Sequence, residues 1–351
     1  MGMQFAALAG LAMSIALVRK TGLGKVNTVD ITVIIYLCAV LFSLFSSPDI
    51  PFDYLRSTSF WPMAAYVLFR IGAGETLKSE KLFPVLAAVI IIVSIYSILQ
   101  AFYGFDIMRL SKPLSYPNPS GVAQYAVIGF FNRHHTFAAS ITMLTLFCLS
   151  GLLPSKNKSG LLLQPLLILL AAIAVFYAQS RAVFISLPCA VIPVIVLKMR
   201  KRFLLMILVI FLIIPELLIL FSDSSRDRLL NSISTDDARI RIMQTAAVAE
   251  AERPLSGWGF GHFYSVADNY FDAVQTDVYV RSGTHNDMQQ MLFDGGIPLT
   301  FAYVLLMLAV LGCAAKLTLT RREPLAAGIF SAMLIFTLYS LFHNALPDGE
   351  L

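Results

Sequence analysis

Ten mostly apolar runs divide this chain, at about residues 3–18, 31–46, 59–72, 82–101, 137–153, 161–179, 182–197, 203–221, 298–315 and 325–343. A helix that crosses a bilayer needs roughly 20 such residues, with a lower limit near 17, so the shorter runs must borrow flanking residues. The run at 59–72 is the least apolar in character, because Arg70 sits near its end. Almost no chain separates 161–179 from 182–197, so Ser180 and Arg181 must turn tightly at one membrane face. Composition agrees with this reading. The 351 residues are 58% hydrophobic and only 13% charged, with mean hydropathy +0.76. That charged share is about half that of a soluble domain. A soluble enzyme, a disordered chain and a secreted disulfide scaffold are thereby excluded. The expected fold is an all-α integral membrane protein of about ten transmembrane helices, forming a single polytopic domain with one large extracytoplasmic loop. Cys38, Cys148, Cys189 and Cys313 all lie inside apolar runs without metal or CxxC spacing, and read as small hydrophobes.

Orientation follows from the basic residues of short loops. Alternate loops carry Arg19, Lys20 and Lys25; Arg70, Lys78 and Lys81; Lys156 and Lys158; Lys198, Arg200, Lys201 and Arg202; and Lys316, Arg321 and Arg322. Together these are fifteen of the 26 Lys and Arg residues, and they mark the cytoplasmic side. Both termini then lie outside. The first run lacks a basic segment before it and a clear small-residue cleavage site, so it does not read as a cleaved signal peptide. Two sizeable segments face outward, at about 102–136 and 222–297. The second holds 11 of the 21 acids and six arginines but no lysine, and is expected to be an ordered cap.

Within that cap a helix is predicted over Ala238–Glu252, with Asp236 or Asp237 capping its start and Pro254 after its end. Arg239 and Arg241 are two apart and point to nearly opposite faces, so at most one aims at a common site. Arg239 is the first choice and Arg241 the second; the alternative is that both snorkel at headgroup level. Next comes Pro254-Leu255-Ser256-Gly257-Trp258-Gly259-Phe260-Gly261-His262-Phe263, whose alternating glycines imply close backbone approach. With no strand before it, it is not a dinucleotide loop, and a tight structural turn under the helix is the favoured reading. His285, in Thr284-His285-Asn286-Asp287, stands at the start of a further helix that ends at Gly295-Gly296-Ile297. Imidazole is the side chain best suited to move protons near neutral pH. Arg181, pinned between two spans, and Arg133, in Asn132-Arg133-His134-His135, complete an outward-facing group of arginines and histidines. Guanidinium forks suit phosphate oxygens.

Several of these pieces together resemble the O-antigen ligase and polymerase family of bacterial envelope glycosyltransferases. They are Ser180-Arg181, Asp237-x-Arg239-Ile240, Pro254-Leu255-x-Gly257-x-Gly259-x-Gly261-x-Phe263, and His285-Asn286-Asp287-x-x-Gln290 followed by Gly295-Gly296-Ile297. They occur in the family's order across about residues 120–345. The resemblance implies a GT-C-like glycosyltransferase in the bacterial inner membrane, with its active site facing the periplasm. Its donor would be a glycan on undecaprenyl diphosphate. Its acceptor would be lipid A–core sugar for a ligase, a growing glycan for a polymerase, or a protein hydroxyl. Membrane lipids are its surroundings; no nucleic acid, no metal and no cofactor are implied. By motif, Arg181 and Arg239 fall where the family contacts diphosphate, Arg133 and Arg241 match more loosely, and His285 falls on the catalytic histidine. The family usually has about twelve spans with cytoplasmic termini, so one helix missing at each end would reconcile the two counts.

A transporter or flippase of lipid-linked sugars is the alternative from another class. Pro188, Pro193 and Pro215 within spans speak for it. The crowding of ionisable groups on one outer face, and the lack of an inverted repeat, speak for surface chemistry instead. Ligase and polymerase are not separable by sequence, and ligase is slightly preferred.

Overall fold

The computed structural model describes residues 27–46, 82–107, 125, 127–131, 133–152, 158–197, 240–270 and 283–343. The runs at 3–18, 59–72 and 203–221 lie outside the described residues. The other seven fall on helices. These are α1 (Thr28–Ser46), α2 (Leu82–Tyr103), α3 (His134–Leu152), α4 (Lys158–Ala178), α5 (Arg181–Leu197), α8 (Asp287–Lys316) and α9 (Pro324–Ser340). Between them come α6 (240–252) and the short α7 (Phe263–Ala267), and a π-helical turn, Leu317–Arg321, follows α8. Among the described residues four helices are long and apolar enough to cross a membrane, namely α1, α2, α3 and the stretch Asp287–Arg321. Shorter apolar helices lie at Leu163–Ala178, Ala182–Val194 and Pro324–Ser340. Pro165 sits inside α4 and Pro188 and Pro193 inside α5, as membrane helices tolerate.

Chain contacts divide the molecule into two compact units. The first comprises residues 1–82, 241–309 and 346–349, and the second 83–240, 310–345 and 350–351.

In the second unit α3 packs against α4, α5 and α9, and α9 also packs along α5. Small residues allow this closeness. A methyl group on Gly328 of α9 would stand 3.1 Å from the Phe147 backbone of α3. The core gathers Phe137, Leu149, Leu152, Leu167, Val183 and Tyr339. The α4–α5 turn occupies two residues. Gln179 takes a left-handed conformation (φ 53°) and its N–H still donates to Val175 O at 3.2 Å. Ser180 is buried, and its carbonyl accepts the first bond of α5 from Phe184 N at 3.1 Å. The predicted turn is therefore one residue earlier than expected, and Arg181 is already helical.

Buried Gln100 organises the chain beyond α2. Its Nε2 donates to Tyr96 Oη (2.9 Å) and Gly129 O (3.1 Å), while its Oε1 accepts from Gly129 N (2.8 Å) and Ile128 N (3.4 Å). Tyr96 in turn donates to Asp106 and accepts from Ile107 N. One amide side chain thus holds the segment that leads to Arg133 and α3.

In the first unit α1 begins with a reciprocal cap: Asp30 N donates to Asn27 Oδ1 (2.9 Å) and Asn27 N to Asp30 Oδ2 (2.8 Å). The stripe Ile242, Thr245, Ala246, Ala249 and Glu250 is the buried side of α6. Its apolar members join Phe263, Val266, Ala267 and Phe293 in one cluster, with Trp258 and Tyr270 at its edge. Phe263 and Phe293 meet edge to face at 5.1 Å.

Candidate functional site

The motif residues of the first unit are built around an interruption in α8. Gly296 has φ 69° and ψ −166°, so the apparent 30-residue helix is two helices joined at this residue. Pro298 has no N–H, so the Asp294 carbonyl lacks its intrahelical donor. The glycine-rich turn and α1 replace what is lost. Trp258 N donates to Phe293 O (2.7 Å), Gly259 N to Asp294 O (2.9 Å), and Ile297 N to Pro254 O (2.8 Å). Ser43 Oγ of α1 is the second donor to Asp294 O, at 2.9 Å. The close approach requires glycine on both sides. A Cβ on Gly257 would come within 2.7 Å of the Asp294 carbonyl group, and one on Gly296 within 2.6 Å of the Leu255 and Pro254 carbonyls. Gly257 and Gly259 therefore lie against the backbone of Asp294–Gly296, a structural turn as the sequence suggested.

His285 lies just before α8 and has φ 59°, a conformation rare outside glycine and asparagine. It is half-buried. The residues around it are fixed on both sides. Asn286 caps α8, its Oδ1 accepting from Met288 N (2.9 Å) and Gln289 N (3.2 Å). Thr284 is buried; its N–H donates to Gln290 Oε1 (3.2 Å) and its hydroxyl to Asn286 O (2.8 Å). Gln290 also donates to Asp294 Oδ1 at 2.9 Å, which ties the His285 segment to the helix break. Asp287 and Asp294 are both fully buried. A histidine held in an unusual backbone conformation by its neighbours is a feature of functional sites.

Arg241 projects from the exposed side of α6, opposite the buried stripe. Arg239, the first choice of the sequence reading, lies outside the described residues. Two residues beyond Arg241, Met243 O accepts a 2.7 Å bond from Gln289 Nε2, so α6 is tied directly to the first turn of α8. Arg253 lies 4.1 Å above the Trp258 ring, and Trp258 Nε1 donates to Ala249 O at 2.8 Å. These contacts fix the exit of α6 onto the glycine-rich turn.

Arg133 and Arg181 belong to the second unit. Arg181 is the first residue of α5, and Arg133 is exposed immediately before α3. Beyond Arg133 three imidazoles lie in succession, tilted against one another. The His134 and His135 ring centres are 3.7 Å apart, those of His135 and His343 4.4 Å, and Tyr339 covers His343 at 4.9 Å. Among the described residues no His, Cys, Asp and Glu side chains are grouped as metal ligands would be.

Sequence reasoning passed over Glu250. It lies on the apolar side of α6, and burial pushes its carboxyl up to about 7, with Gln289 opposing the shift. The signal was available, since an acid eight residues after Ile242 and four after Ala246 falls on the inward stripe.

No curated protein matches the chain. Residues 166–304, which include Arg181, Arg239, Arg241 and His285, match the family model described as O-antigen ligase; this match supports an assignment to the O-antigen ligase and polymerase family and to polysaccharide biosynthesis, and the apolar helices support a membrane protein.

Proposed function

We propose that the protein transfers a saccharide from undecaprenyl diphosphate to an acceptor hydroxyl at the outer face of the bacterial inner membrane. The observation that carries this reading is the family match over 166–304, which encloses Arg181, Arg239, Arg241 and His285 in one ordered set. His285 is the general base. It takes the proton of the acceptor hydroxyl as that oxygen attacks the anomeric carbon, a contribution typically worth about 10²–10⁴-fold. The bond from that carbon to the diphosphate oxygen breaks, and the electron pair leaves with the lipid diphosphate. Arg181 and Arg239, with Arg241 and Arg133 in support, stabilise the negative charge that develops there. Attack from the face opposite the leaving group inverts the anomeric centre, and no metal takes part. The same reading takes the chain as a protein of about ten spans with one large extracytoplasmic loop over 222–297.

The test replaces His285 and Arg181 singly. His285→Asn suits the histidine better than alanine alone, because asparagine accepts a left-handed backbone. His285→Asn, His285→Ala and Arg181→Ala, each at wild-type level in the membrane, are expected to abolish glycan transfer. Full transfer by any of them removes that residue from the mechanism. Glycan analysis of a deletion strain separates the acceptors: long chains left on the lipid carrier identify a ligase, whereas single repeat units on the envelope acceptor identify a polymerase.

A further inference from the structure

We infer that Ser43 of α1 is a positioning residue for His285: its hydroxyl pins the far end of the short helix that follows the histidine. The break at Gly296 leaves residues 287–295 as a separate rod of about nine residues, or about 13 Å at 1.5 Å per residue. His285 lies just before one end of this rod, and Asp294 stands at the other. Pro298 cannot supply the usual donor to the Asp294 carbonyl. Two donors from outside α8 take its place, Gly259 N at 2.9 Å and Ser43 Oγ at 2.9 Å. Both lone pairs of that oxygen are then used. Ser43 is fully buried, so bulk water does not replace a missing hydroxyl.

The direction of this bond sets Ser43 apart. Ser97, Thr142, Thr145 and Ser186, also in apolar helices, donate to the carbonyl four residues back in their own helix. Ser43 instead crosses to α8. It belongs to the buried stripe of α1 with Tyr36, Val40 and Leu44. On the same stripe Tyr36 Oη reaches Met291 Sδ at 4.0 Å, one turn before Asp294, so α1 meets the rod at two levels. The rod is also tied along its length, because Gln290 joins Asp294 Oδ1 (2.9 Å) to Thr284 N (3.2 Å). A slip at Asp294 is therefore passed on to His285. Over this length a tilt of about 5° at one end moves the other by about 1 Å, a displacement large enough to disable a catalytic group.

The inference rests on the proposed reaction for its turnover readout and on backbone exchange for its structural one. Three variants of the full-length protein separate the hydroxyl from packing. Ser43→Ala removes the donor with least disturbance, Ser43→Thr keeps it, and Ser43→Val has nearly the size of threonine without it. At equal levels of folded protein, Ser43→Ala and Ser43→Val are expected to lower kcat for glycan transfer by about 10–100-fold. KM for the lipid-linked donor should hold, because the loss concerns the placing of the base and not the binding of substrate. Ser43→Thr is expected to restore kcat. In detergent, amide hydrogen exchange over residues 286–291 is expected to quicken in the alanine and valine variants and not in the threonine variant. Threonine and valine variants that behave alike in both measurements overturn the inference. So does an alanine variant with wild-type kcat, or one whose loss lies in KM alone. If the two larger side chains prevent folding, Ser43→Ala decides, and unchanged exchange over 286–291 overturns the inference. A wild type that transfers no glycan overturns the proposed reaction instead, and the exchange measurement then decides on Ser43.

Discussion

Gly257 lies directly on the peptide of Asp294: a side-chain carbon at residue 257 would stand 2.7 Å from the Asp294 carbonyl oxygen, and Gly257 itself has φ +65°. Two constraints therefore select glycine at one position. The conformation disfavours any L side chain, and the space is filled by backbone that has no rotamer to change. Around this contact the freed carbonyls of Phe293 and Asp294 find their donors in Trp258 and Gly259. Neither half of the arrangement is complete without the other.

Gly257→Ala is accordingly expected to destabilise the protein by about 2–4 kcal/mol, combining left-handed strain with the loss of buried backbone hydrogen bonds. The level of folded protein in the membrane and its melting temperature in detergent measure this. An unchanged melting temperature would mean that the glycine turn does not lean on the helix break.

Asn286→Ala removes the cap from α8. Its Oδ1 serves two N–H groups, and loss of such a cap costs about 1 kcal/mol. Asn286→Asp keeps the acceptor and adds charge favourable to the helix N-terminus, so it is expected to preserve stability. Because Asn286 adjoins His285, the alanine variant should also lose more transfer activity than its small stability change explains. Melting curves and transfer assays on both variants check the pair.

The sequence was informative wherever a local rule decides structure. Apolar length located α1 to α5, α8 and α9, because a membrane helix satisfies its own backbone. The alternating glycines announced a close backbone contact, and the tight joint before Arg181 followed from the shortage of chain between two spans. Long-range polar pairing was not legible. Nothing near Gln100 in the sequence shows that its amide will meet Gly129, and nothing beside Gly257 names Asp294 as its neighbour. Glu250 was hidden for another reason. The helix containing it was read for its arginines, whereas its inward stripe carried the unusual residue. Arg241 faces outward on that helix, and Arg239 lies outside the described residues, so the choice between them still rests on the family's motif order.

Gln100→Leu is expected to leave the Gly129 N–H and C=O and the Tyr96 hydroxyl short of partners. Each buried group left unsatisfied costs about 1–3 kcal/mol, so the variant should be among the most destabilised in the second unit. Gln100→Glu would keep the acceptor oxygen and put a second oxygen in place of the amide nitrogen, so both donated bonds are lost. A melting temperature close to wild type in Gln100→Leu would show that the segment before Arg133 is held by something other than this amide.

Gln290→Ala tests how the His285 segment is held without touching the histidine. Gln290 is 1% exposed and spans two features, accepting from Thr284 N at 3.2 Å and donating to Asp294 Oδ1 at 2.9 Å. Truncation leaves a buried N–H and a buried carboxylate oxygen each short of one partner, at a cost of about 2–4 kcal/mol for the two. Thr284 is then no longer tied to α8, and the left-handed conformation of His285 loses one of the contacts that sustain it. If His285 is the base proposed above, transfer should fall by about 10–100-fold even in preparations normalised for folded protein, since a base displaced by about 1 Å costs that much. Gln290→Glu preserves length but sets a second carboxylate beside Asp294, so it should be no better than alanine. If Gln290→Ala melts lower yet transfers at the wild-type rate per folded molecule, the link from Thr284 to the helix break supports stability alone, and His285 is placed by its other neighbours.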